Sequence, residues 1–272
     1  MSAGPLLQRT PAPRRADALG HAFDLPGGPD AALLLHGLSG SPFEVRSLGD
    51  RLHLRSMRCL GPVLPGHGGE PGGLAGVTWG DWLAGARAAL DQLAGARRTF
   101  VVGCSMGALL SLALAAEAPQ KVDALVLLAP ALRLAPGPAL AGWLARHTPL
   151  GRLLPPLPKG TSDVRDPEMR ALNPALRAVP ISAVGELQLL AAEVDRRLPS
   201  IRTPALVIAG ERDHTVRLSG ARRIASRIGS GPARLLLLPD SFHLVGIDVE
   251  RDVVAEEAAA FLSAIPARGR KE

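Results

Sequence analysis

Cysteine is almost absent from this 272-residue sequence, and the shortage argues against both a disulfide framework and a cysteine-based zinc site. Two cysteines, Cys59 and Cys104, cannot supply the disulfide framework of a small secreted fold. The seven histidines are accompanied neither by a cysteine pair nor by an H-E-x-x-H pattern, the usual signatures of zinc sites. No P-loop and no G-x-G-x-x-G follows an apolar run either. We therefore expect neither a metal nor a cofactor.

Lysine and aromatic residues are also scarce. The chain has three lysines, aromatic side chains make up 3% of it, and tyrosine is absent. The formal net charge of +6 therefore comes from arginine, part of it near the two ends of the chain, where basic residues are usually solvated. No basic helix and no basic patch interleaved with aromatic residues accompanies this charge. We expect no nucleic-acid partner.

The sequence lacks an unbroken hydrophobic run long enough to span a membrane. The stretch from Thr99 to Ala116 is uncharged for 18 residues, the lower limit of a transmembrane helix, but Gly103, Ser105 and Gly107 interrupt it. A buried strand followed by a buried helix explains it better. The first residues hold arginine and proline and no apolar signal-peptide core. We expect a cytoplasmic protein without stable membrane insertion.

The chain contains an alternation of short apolar runs and helix-length segments. Thr78 and Asp81 form a capping-box pattern at the start of a helix predicted to reach Leu93, and a second helix is predicted from Asp248 to Ile265. Strands that alternate with helices predict an α/β fold with a mostly parallel, doubly wound sheet. The runs typical of buried parallel strands are Ala31 to Leu35, Thr99 to Gly103, Val122 to Ala129, Ala205 to Ala209 and Ala233 to Leu238.

The alternation is interrupted between Ala131 and Ser200. This 70-residue stretch holds ten of the 25 prolines and no strong strand signal, although an amphipathic helix is predicted from Ser182 to Leu198. We predict a core made of residues 21–130 and 201–265, into which residues 131–200 are inserted as a lid. Residues 1–20 are predicted to be a basic, flexible tail, and residues 266–272 a second tail.

The pentapeptide GCSMG at residues 103–107 carries the main chemical signal. It lies between a predicted strand and a helical run, where the G-x-S-x-G pattern forms a sharp turn that exposes the serine oxygen. A glycine-rich bend without chemistry is one alternative. Cys104 as the nucleophile is another, but it would put Val102 and Met106 where the turn needs glycine. We predict Ser105 as the nucleophile and Cys104 as a buried neighbour.

A serine nucleophile needs a base, and the base needs an orienting carboxylate. In this chain order the acid follows the serine and the histidine comes last. Asp213 and His243 each come just after an apolar run, at the strand ends where ligand-facing loops gather in open α/β sheets. We predict Asp213 as the acid and His243 as the base. Candidates that fit this order less well are Glu211, His214 and Asp240.

The glycine-rich loop HGLSGSP at residues 36–42 follows the first predicted strand. Such a loop can turn backbone N–H groups toward the negative oxygen that develops in acyl transfer. We predict the N–H groups of Leu38 and Met106 as these donors. The alternative is an ordinary strand-to-helix turn.

Together these motifs resemble the α/β-hydrolase superfamily, in particular its small bacterial carboxylesterases and monoacylglycerol lipases. The resemblance implies an eight-stranded, mostly parallel sheet with a small lid inserted before the strand that carries the acid. It implies the same roles for Ser105, Asp213, His243, Leu38 and Met106. The likeness extends from about Ala31 to Leu262, with further matches in LPGHG at 64–68, TWGDWL at 78–83, IAGERDHTV at 208–216 and FHLVGID at 242–248.

The expected reaction is hydrolysis of a carboxylic ester through an acyl-enzyme, in which His243 takes the Ser105 proton and later activates water. The expected partner is a small-molecule ester. The aliphatic side chains of the insertion can receive its acyl chain, and ordinary packing is the alternative role for them. Three alternatives stay open: an acyltransferase, an amidase or peptidase, and a non-enzymatic binding protein on the same fold. The residues predicted to contact the substrate are Leu38, Trp143, Leu153 and Leu154.

Overall fold

The computed structural model describes residues 20–67, 73–148, 156–158, 160–231 and 233–267. Seven strands form one sheet in the order β1-β3-β2-β4-β5-β8-β9, and every pairing in it is parallel except that of β1 with β3. The resemblance implied eight strands, and this sheet has seven within the described residues. The strands are β1 (Phe23–Leu25), β2 (Asp30–Leu35), β3 (Arg58–Gly61), β4 (Arg98–Cys104), β5 (Ala124–Leu128), β6 (Leu157–Pro158), β7 (Ala178–Val179), β8 (Ala205–Gly210) and β9 (Arg234–Leu238).

The described part of the chain also holds α-helices between most of these strands. The predicted capping box is present, because the Thr78 hydroxyl accepts from the Asp81 N–H while the Thr78 N–H donates to the Asp81 carboxylate. None of the described helices is both long and apolar enough to cross a membrane. The helices are α1 (Phe43–His53), α2 (Trp79–Asp91), α3 (Met106–Glu117), α4 (Pro136–His147), α5 (Pro167–Leu172), α6 (Ile181–Arg197), α7 (Leu218–Arg227) and α8 (Arg251–Ser263).

Helix α8 begins three residues later than the sequence pattern predicted. Asp248, the predicted start, is fully buried, and its carboxylate accepts the backbone N–H groups of Arg165 and Phe242 instead of capping the helix. An Asp before an amphipathic run normally indicates a helix start because it can accept orphan N–H groups of the first turn. Here the Asp248 carboxylate is occupied by tertiary contacts, and the helix begins at Arg251.

The sheet is covered on both faces, and alternate residues of each strand serve the two layers. Phe100 and Val102 of β4 pack with α1 and α8, whereas Val101 packs with α2, α3, α6 and α7 on the other face. Each fully buried large apolar side chain contributes about 1.5–3 kcal/mol relative to its exposure. This two-sided burial explains why β2, β4, β5 and β8 read as near-continuous apolar runs.

The segment between β5 and β8 holds α4, α5, α6 and the separate two-stranded sheet of β6 and β7. Helix α6 packs its buried face onto the core layer that includes α3, and α4 lies on α6, where Gln188 donates to the Ala139 carbonyl at 2.7 Å. Residues 1–19 and 268–272, which make up most of the two predicted tails, lie outside the described residues.

Candidate active site

Ser105 occupies the sharp turn between β4 and α3. Its backbone has φ 55° and ψ −109°, a conformation that is costly for a residue with a side chain. A Cβ atom on Gly103 would lie 2.2 Å from the Gly107 carbonyl oxygen, and one on Gly107 would lie 2.1 Å from the Leu35 oxygen. Glycine is therefore the residue that both positions accept. The neighbouring Cys104 is fully buried in the sheet.

The structure brings Ser105, His243 and Asp213 together from three separate loops. The Ser105 Oγ lies 3.0 Å from Nε2 of His243, and Nδ1 of His243 lies 2.7 Å from Oδ2 of Asp213. An ionised carboxylate can only accept, so Nδ1 carries the proton and Nε2 is left to accept from the serine hydroxyl. Asp213 lies after β8 and His243 after β9, at the same edge of the sheet as Ser105.

Asp213 is held on its second oxygen as well. Its Oδ1 accepts from the backbone N–H groups of Thr215 and Val216, both at 2.8 Å. Burial raises the pKa of Asp213, but the charge and hydrogen bond of His243 and these two N–H groups bring it below its ordinary value. The carboxylate is therefore ionised at neutral pH, the state in which a carboxylate can orient a neighbouring imidazole.

His243 is buried, and its environment favours the imidazolium. Burial lowers the pKa of His243, but the charge and the hydrogen bond of Asp213 raise it by more, so that the net direction is upward. The more distant carboxylates of Asp163 and Glu44 act in the same direction. This surplus of negative charge favours the protonated ring, the form that a histidine takes when it accepts a proton as a general base.

The loop after β2 lies beside Ser105 and is fixed by two buried side chains. The fully buried His36 donates from Nδ1 to the Gly37 oxygen at 2.9 Å and accepts the Leu64 N–H on Nε2 at 3.1 Å. Glu44 on α1, also buried, accepts the Gly37 N–H at 2.8 Å. The peptide that joins Gly37 to Leu38 is thus held next to the serine, since a Cβ on Gly37 would lie 3.2 Å from the Ser105 Cβ.

A cavity of about 530 Å³ opens at Ser105 and His243. Its wall near the serine includes Leu38, while Asp163, His214 and Thr215 form a polar side. The remaining wall is largely aliphatic, and much of it comes from the segment between β5 and β8. The aliphatic lining residues are Leu134, Leu157, Val179, Val184, Leu187 and Leu244.

The other residues predicted to contact substrate are placed differently. Trp143 on α4 is 50% exposed and stacks on His147, with ring centroids 5.0 Å apart. Within the described residues it does not line the cavity. Leu153 and Leu154 lie outside the described residues. Met106, predicted as the second N–H donor, is fully buried and begins α3 directly after the serine.

The competing acids and base have other partners or positions. Asp240 pairs with Arg165, and His214 is 66% exposed and donates to Asp163. Glu211 is exposed at the start of the loop. Within the part of the chain that the structure describes, no group of three or more His, Cys, Asp or Glu residues is placed to hold a metal ion.

Sequence reasoning missed Glu44 and Asp163, both of which line the cavity. Glu44 lies in an ordinary helical run, and Asp163 lies in a proline-rich stretch where aspartate usually forms turns. No motif distinguishes either residue along the chain, because their partners are distant in sequence.

Comparison with known families gives one match that covers most of the chain. The Hydrolase_4 model, described as serine aminopeptidase S33, matches residues 29–250. A thermostable monoacylglycerol lipase of Bacillus sp. (strain H-257) is 28% identical over 242 residues, which are 89% of this chain and 93% of that protein. A carboxylesterase of Bacillus subtilis (strain 168) is 26% identical over 242 residues, covering 88% and 95% of the two chains.

Solved structures agree with this match. One from work on LipS and LipT, two metagenome-derived lipolytic enzymes, superposes with a TM-score of 0.82 at 28% identity and covers 90% of this chain and 97% of that one. The monoacylglycerol lipase of Paleococcus ferrophilus superposes with a TM-score of 0.76 at 19% identity, covering 90% and 99%. These neighbours confirm the predicted α/β-hydrolase fold with its mostly parallel sheet.

Proposed function

The chain belongs to the serine aminopeptidase S33 family of hydrolases, and we propose that it hydrolyses carboxylic esters through a covalent acyl-enzyme on Ser105. The observation that carries the proposal is the hydrogen-bonded series Ser105–His243–Asp213 at the mouth of an aliphatic cavity. Relatives named monoacylglycerol lipase and carboxylesterase support ester hydrolysis as the reaction.

In the first half of the reaction, the Ser105 oxygen attacks the ester carbonyl while Nε2 of His243 takes its proton. The carbonyl oxygen becomes negative, and the backbone N–H groups of Leu38 and Met106 are the donors we propose for it. The bond to the alcohol then breaks, and the proton on Nε2 passes to the leaving alkoxide. The products are a free alcohol and an acyl group joined to Ser105.

In the second half, a water molecule attacks the acyl group and gives its proton to Nε2 of His243. Collapse of the tetrahedral intermediate releases the carboxylic acid and returns the proton to the Ser105 oxygen. Asp213 keeps the proton of the ring on Nδ1 throughout, so that Nε2 is available as the acceptor in both halves.

The shape of the cavity supports an ester with an apolar acyl chain. Its aliphatic wall can cover methylene groups, and each methylene buried contributes up to ~0.8 kcal/mol. The lining also includes Asp163, His214 and Thr215, whose polar groups suit a small alcohol. We therefore propose monoesters of aliphatic acids, monoacylglycerols among them, as the substrate class.

Labelling by a fluorophosphonate tests the nucleophile. Wild type should be labelled and Ser105→Ala should not, whereas Cys104→Ala, a change at the adjacent buried residue, should be labelled at nearly the wild-type rate. Ester hydrolysis should follow the same order. A labelled Ser105→Ala protein or an unlabelled Cys104→Ala protein that is folded would contradict the assignment of Ser105.

A substrate panel tests the reaction class. p-Nitrophenyl esters, monoacylglycerols and amino-acid p-nitroanilides are compared at equal concentration, with and without an added alcohol as acceptor. We expect the esters to be cleaved to acid and alcohol, with little cleavage of the anilides. Faster cleavage of the anilides would identify a peptidase, and acyl transfer without hydrolysis would identify an acyltransferase.

A further inference from the structure

Asp163, in the segment between β5 and β8, binds the loop that carries the acid. Its Oδ1 accepts from Nδ1 of His214 at 2.8 Å, and its Oδ2 accepts from the backbone N–H of His214 at 3.0 Å and from the Thr215 hydroxyl at 2.9 Å. These two residues directly follow Asp213, whose Oδ1 accepts from the Thr215 N–H. The Asp163 carboxylate is thus bonded to the turn that holds Asp213 in place.

The main chain of Asp163 binds the other catalytic loop. Its carbonyl oxygen accepts from the N–H groups of His243 and Leu244, both at 3.2 Å. The two loops also touch beside Asp163, because the His214 ring packs edge-to-face on Phe242 with centroids 4.7 Å apart. One residue of the insertion therefore contacts both the loop of the acid and the loop of the base.

We propose that Asp163 is a positioning residue for the reaction, which holds the Asp213 and His243 loops in register. The inference rests on the proposed ester hydrolysis, because the loops matter in this way only if the two residues act together. It assigns the insertion a second task besides lining the acyl cavity. Asp163, which belongs to no catalytic motif, would then determine the relative position of Asp213 and His243, two members of the Ser105–His243–Asp213 triad.

The chemistry of the contact requires an acceptor with two oxygens when His214 donates. The carboxylate meets three donors, and hydrogen bonds to an ionised group are roughly twice as strong as neutral ones. An asparagine can keep two of these donors on its single oxygen and can itself donate to Nδ1 of a neutral His214. Alanine can replace none of the contacts, so the two variants separate loss of charge from loss of position.

The charge of Asp163 also acts on the base. The titratable groups around His243 are Asp213 and His214 on the acid loop, Asp163 on the insertion and Glu44 on α1. Burial lowers the pKa of His243, and the charges of Asp213, Asp163 and Glu44 raise it. Removing the charge of Asp163 while keeping its shape should lower the pKa of the imidazole.

The test compares Asp163 with Asp166, a carboxylate of the same segment whose side chain is equally exposed, at 16%. Asp166 caps α5 and pairs with Arg251, and none of its side-chain bonds in the described part reaches either catalytic loop. Asp163→Ala should lower kcat for p-nitrophenyl acetate about ten- to a hundredfold with little change in KM, the expected cost of a misplaced catalytic group. Asp166→Ala should leave kcat near wild type.

Asp163→Asn should restore most of the lost kcat and move the acid limb of kcat/KM to lower pH. Equal losses of kcat in Asp163→Ala and Asp166→Ala would overturn the proposal, as would an alanine variant at position 163 with wild-type kcat. If Asp163→Ala shows no cooperative thermal transition, the acid limb of kcat/KM is compared between Asp163→Asn and Asp166→Asn. A shift to lower pH in Asp163→Asn alone supports the proposal, and the same limb in both variants overturns it.

An NMR titration of ¹³C-labelled histidine, with the His243 signal assigned by its loss in His243→Ala, needs no turnover. We expect a lower pKa for His243 in Asp163→Asn than in wild type and no change in Asp166→Asn. The same pKa of His243 in all three proteins would overturn the proposal. Failure of the proposed function is a different result, in which wild type neither hydrolyses esters nor reacts with a fluorophosphonate.

Discussion

The His36 ring donates a hydrogen bond to the carbonyl oxygen of Gly37, 2.9 Å away, and so fixes the peptide whose N–H belongs to Leu38. In a trans peptide the C=O and the N–H point in opposite directions, so the ring sets the direction of the N–H as well. The Leu64 N–H donates to the other ring nitrogen, which requires His36 to be neutral. The loop we propose for oxyanion binding is thus held by a buried, uncharged histidine.

This burial predicts a loss of stability in acid. Burial, with a smaller contribution from nearby His67, lowers the pKa of His36 to about 3 from an ordinary value of 6.5. Between these values the unfolded chain binds a proton that the folded protein does not, so the free energy of unfolding falls as pH falls. The contribution is complete above pH 6.5 and declines toward pH 3.

Urea unfolding measured from pH 4 to pH 7 checks this prediction. One proton corresponds to about 1.4 kcal/mol per pH unit, and we expect His36→Asn to have a smaller pH slope by about this amount. The raised pKa of His243 has the opposite sign, since it favours the folded state below 6.5, and it is common to both proteins. Equal slopes in the two proteins would show that His36 is protonated when folded.

The backbone conformation of Ser105 predicts that glycine at this position stabilises the folded protein relative to alanine, while both changes remove the activity. At φ 55° and ψ −109° a side chain costs on the order of 1–3 kcal/mol, whereas glycine adopts positive φ readily but loses roughly 0.5–1 kcal/mol of chain entropy. Ser105→Gly should therefore unfold at a higher urea concentration than Ser105→Ala, and both should be inactive. The alanine variant is the matched control, because both changes remove the same hydroxyl.

The parts of the fold that the sequence pattern predicted are those in which local residues decide the outcome. The apolar runs of β2, β4, β5 and β8 are buried on both faces, and the capping box of Thr78 begins α2 where expected. Strands β1 and β3 were not predicted because they have only three and four residues, and β3 begins with an arginine. Such short strands are defined by their pairing rather than by their own pattern.

The same reasoning separates the candidate site into two groups. Loops that follow parallel strands meet at one edge of the sheet, so the GCSMG motif together with chain order was sufficient to propose Ser105, Asp213 and His243. Asp163 lies 51 residues from His214 along the chain, and only the tertiary structure brings the two residues together. Nothing in the local sequence of Asp163 indicates this partner.

The electrostatics of the base predict the pH dependence of hydrolysis. His243 must be neutral to accept the Ser105 proton, and its pKa is raised, so the acid limb of kcat/KM should lie above 6.5. Asp213→Asn removes the charge that most raises the pKa of His243 and, with the amide oxygen accepting from Thr215 and Val216, turns an NH2 donor toward Nδ1. It should lower kcat by roughly three orders of magnitude or more, because triad members act as a unit. His214→Ala should have only a small effect on kcat. A collapse of kcat in Glu211→Gln together with a normal kcat in Asp213→Asn would assign the role of the acid to Glu211.

The aliphatic wall of the cavity predicts how the rate depends on acyl length. Each methylene that enters should raise kcat/KM by up to about fourfold, corresponding to ~0.8 kcal/mol, until the cavity of about 530 Å³ is filled. The values for p-nitrophenyl esters of two to sixteen carbons should therefore climb and then level off. A flat series from the two-carbon ester upward would mean that the acyl chain does not enter this cavity.

Leu157→Asp tests whether the insertion supplies this selectivity. Leu157 is half-buried at the cavity wall, and a carboxylate there would lose its hydration when an acyl chain covers it. The climb with chain length should flatten, while the two-carbon ester, which does not reach the wall, is hydrolysed at a similar rate.

Leu172→Asp is the matched control: Leu172 is also half-buried in the insertion but packs on the opposite layer, against the core beneath α1 and α8. Its series should keep the wild-type climb. Equal loss of short and long esters in a folded Leu157→Asp protein would contradict a role in selectivity, since that pattern is the one expected when the triad itself is displaced, as in Asp163→Ala.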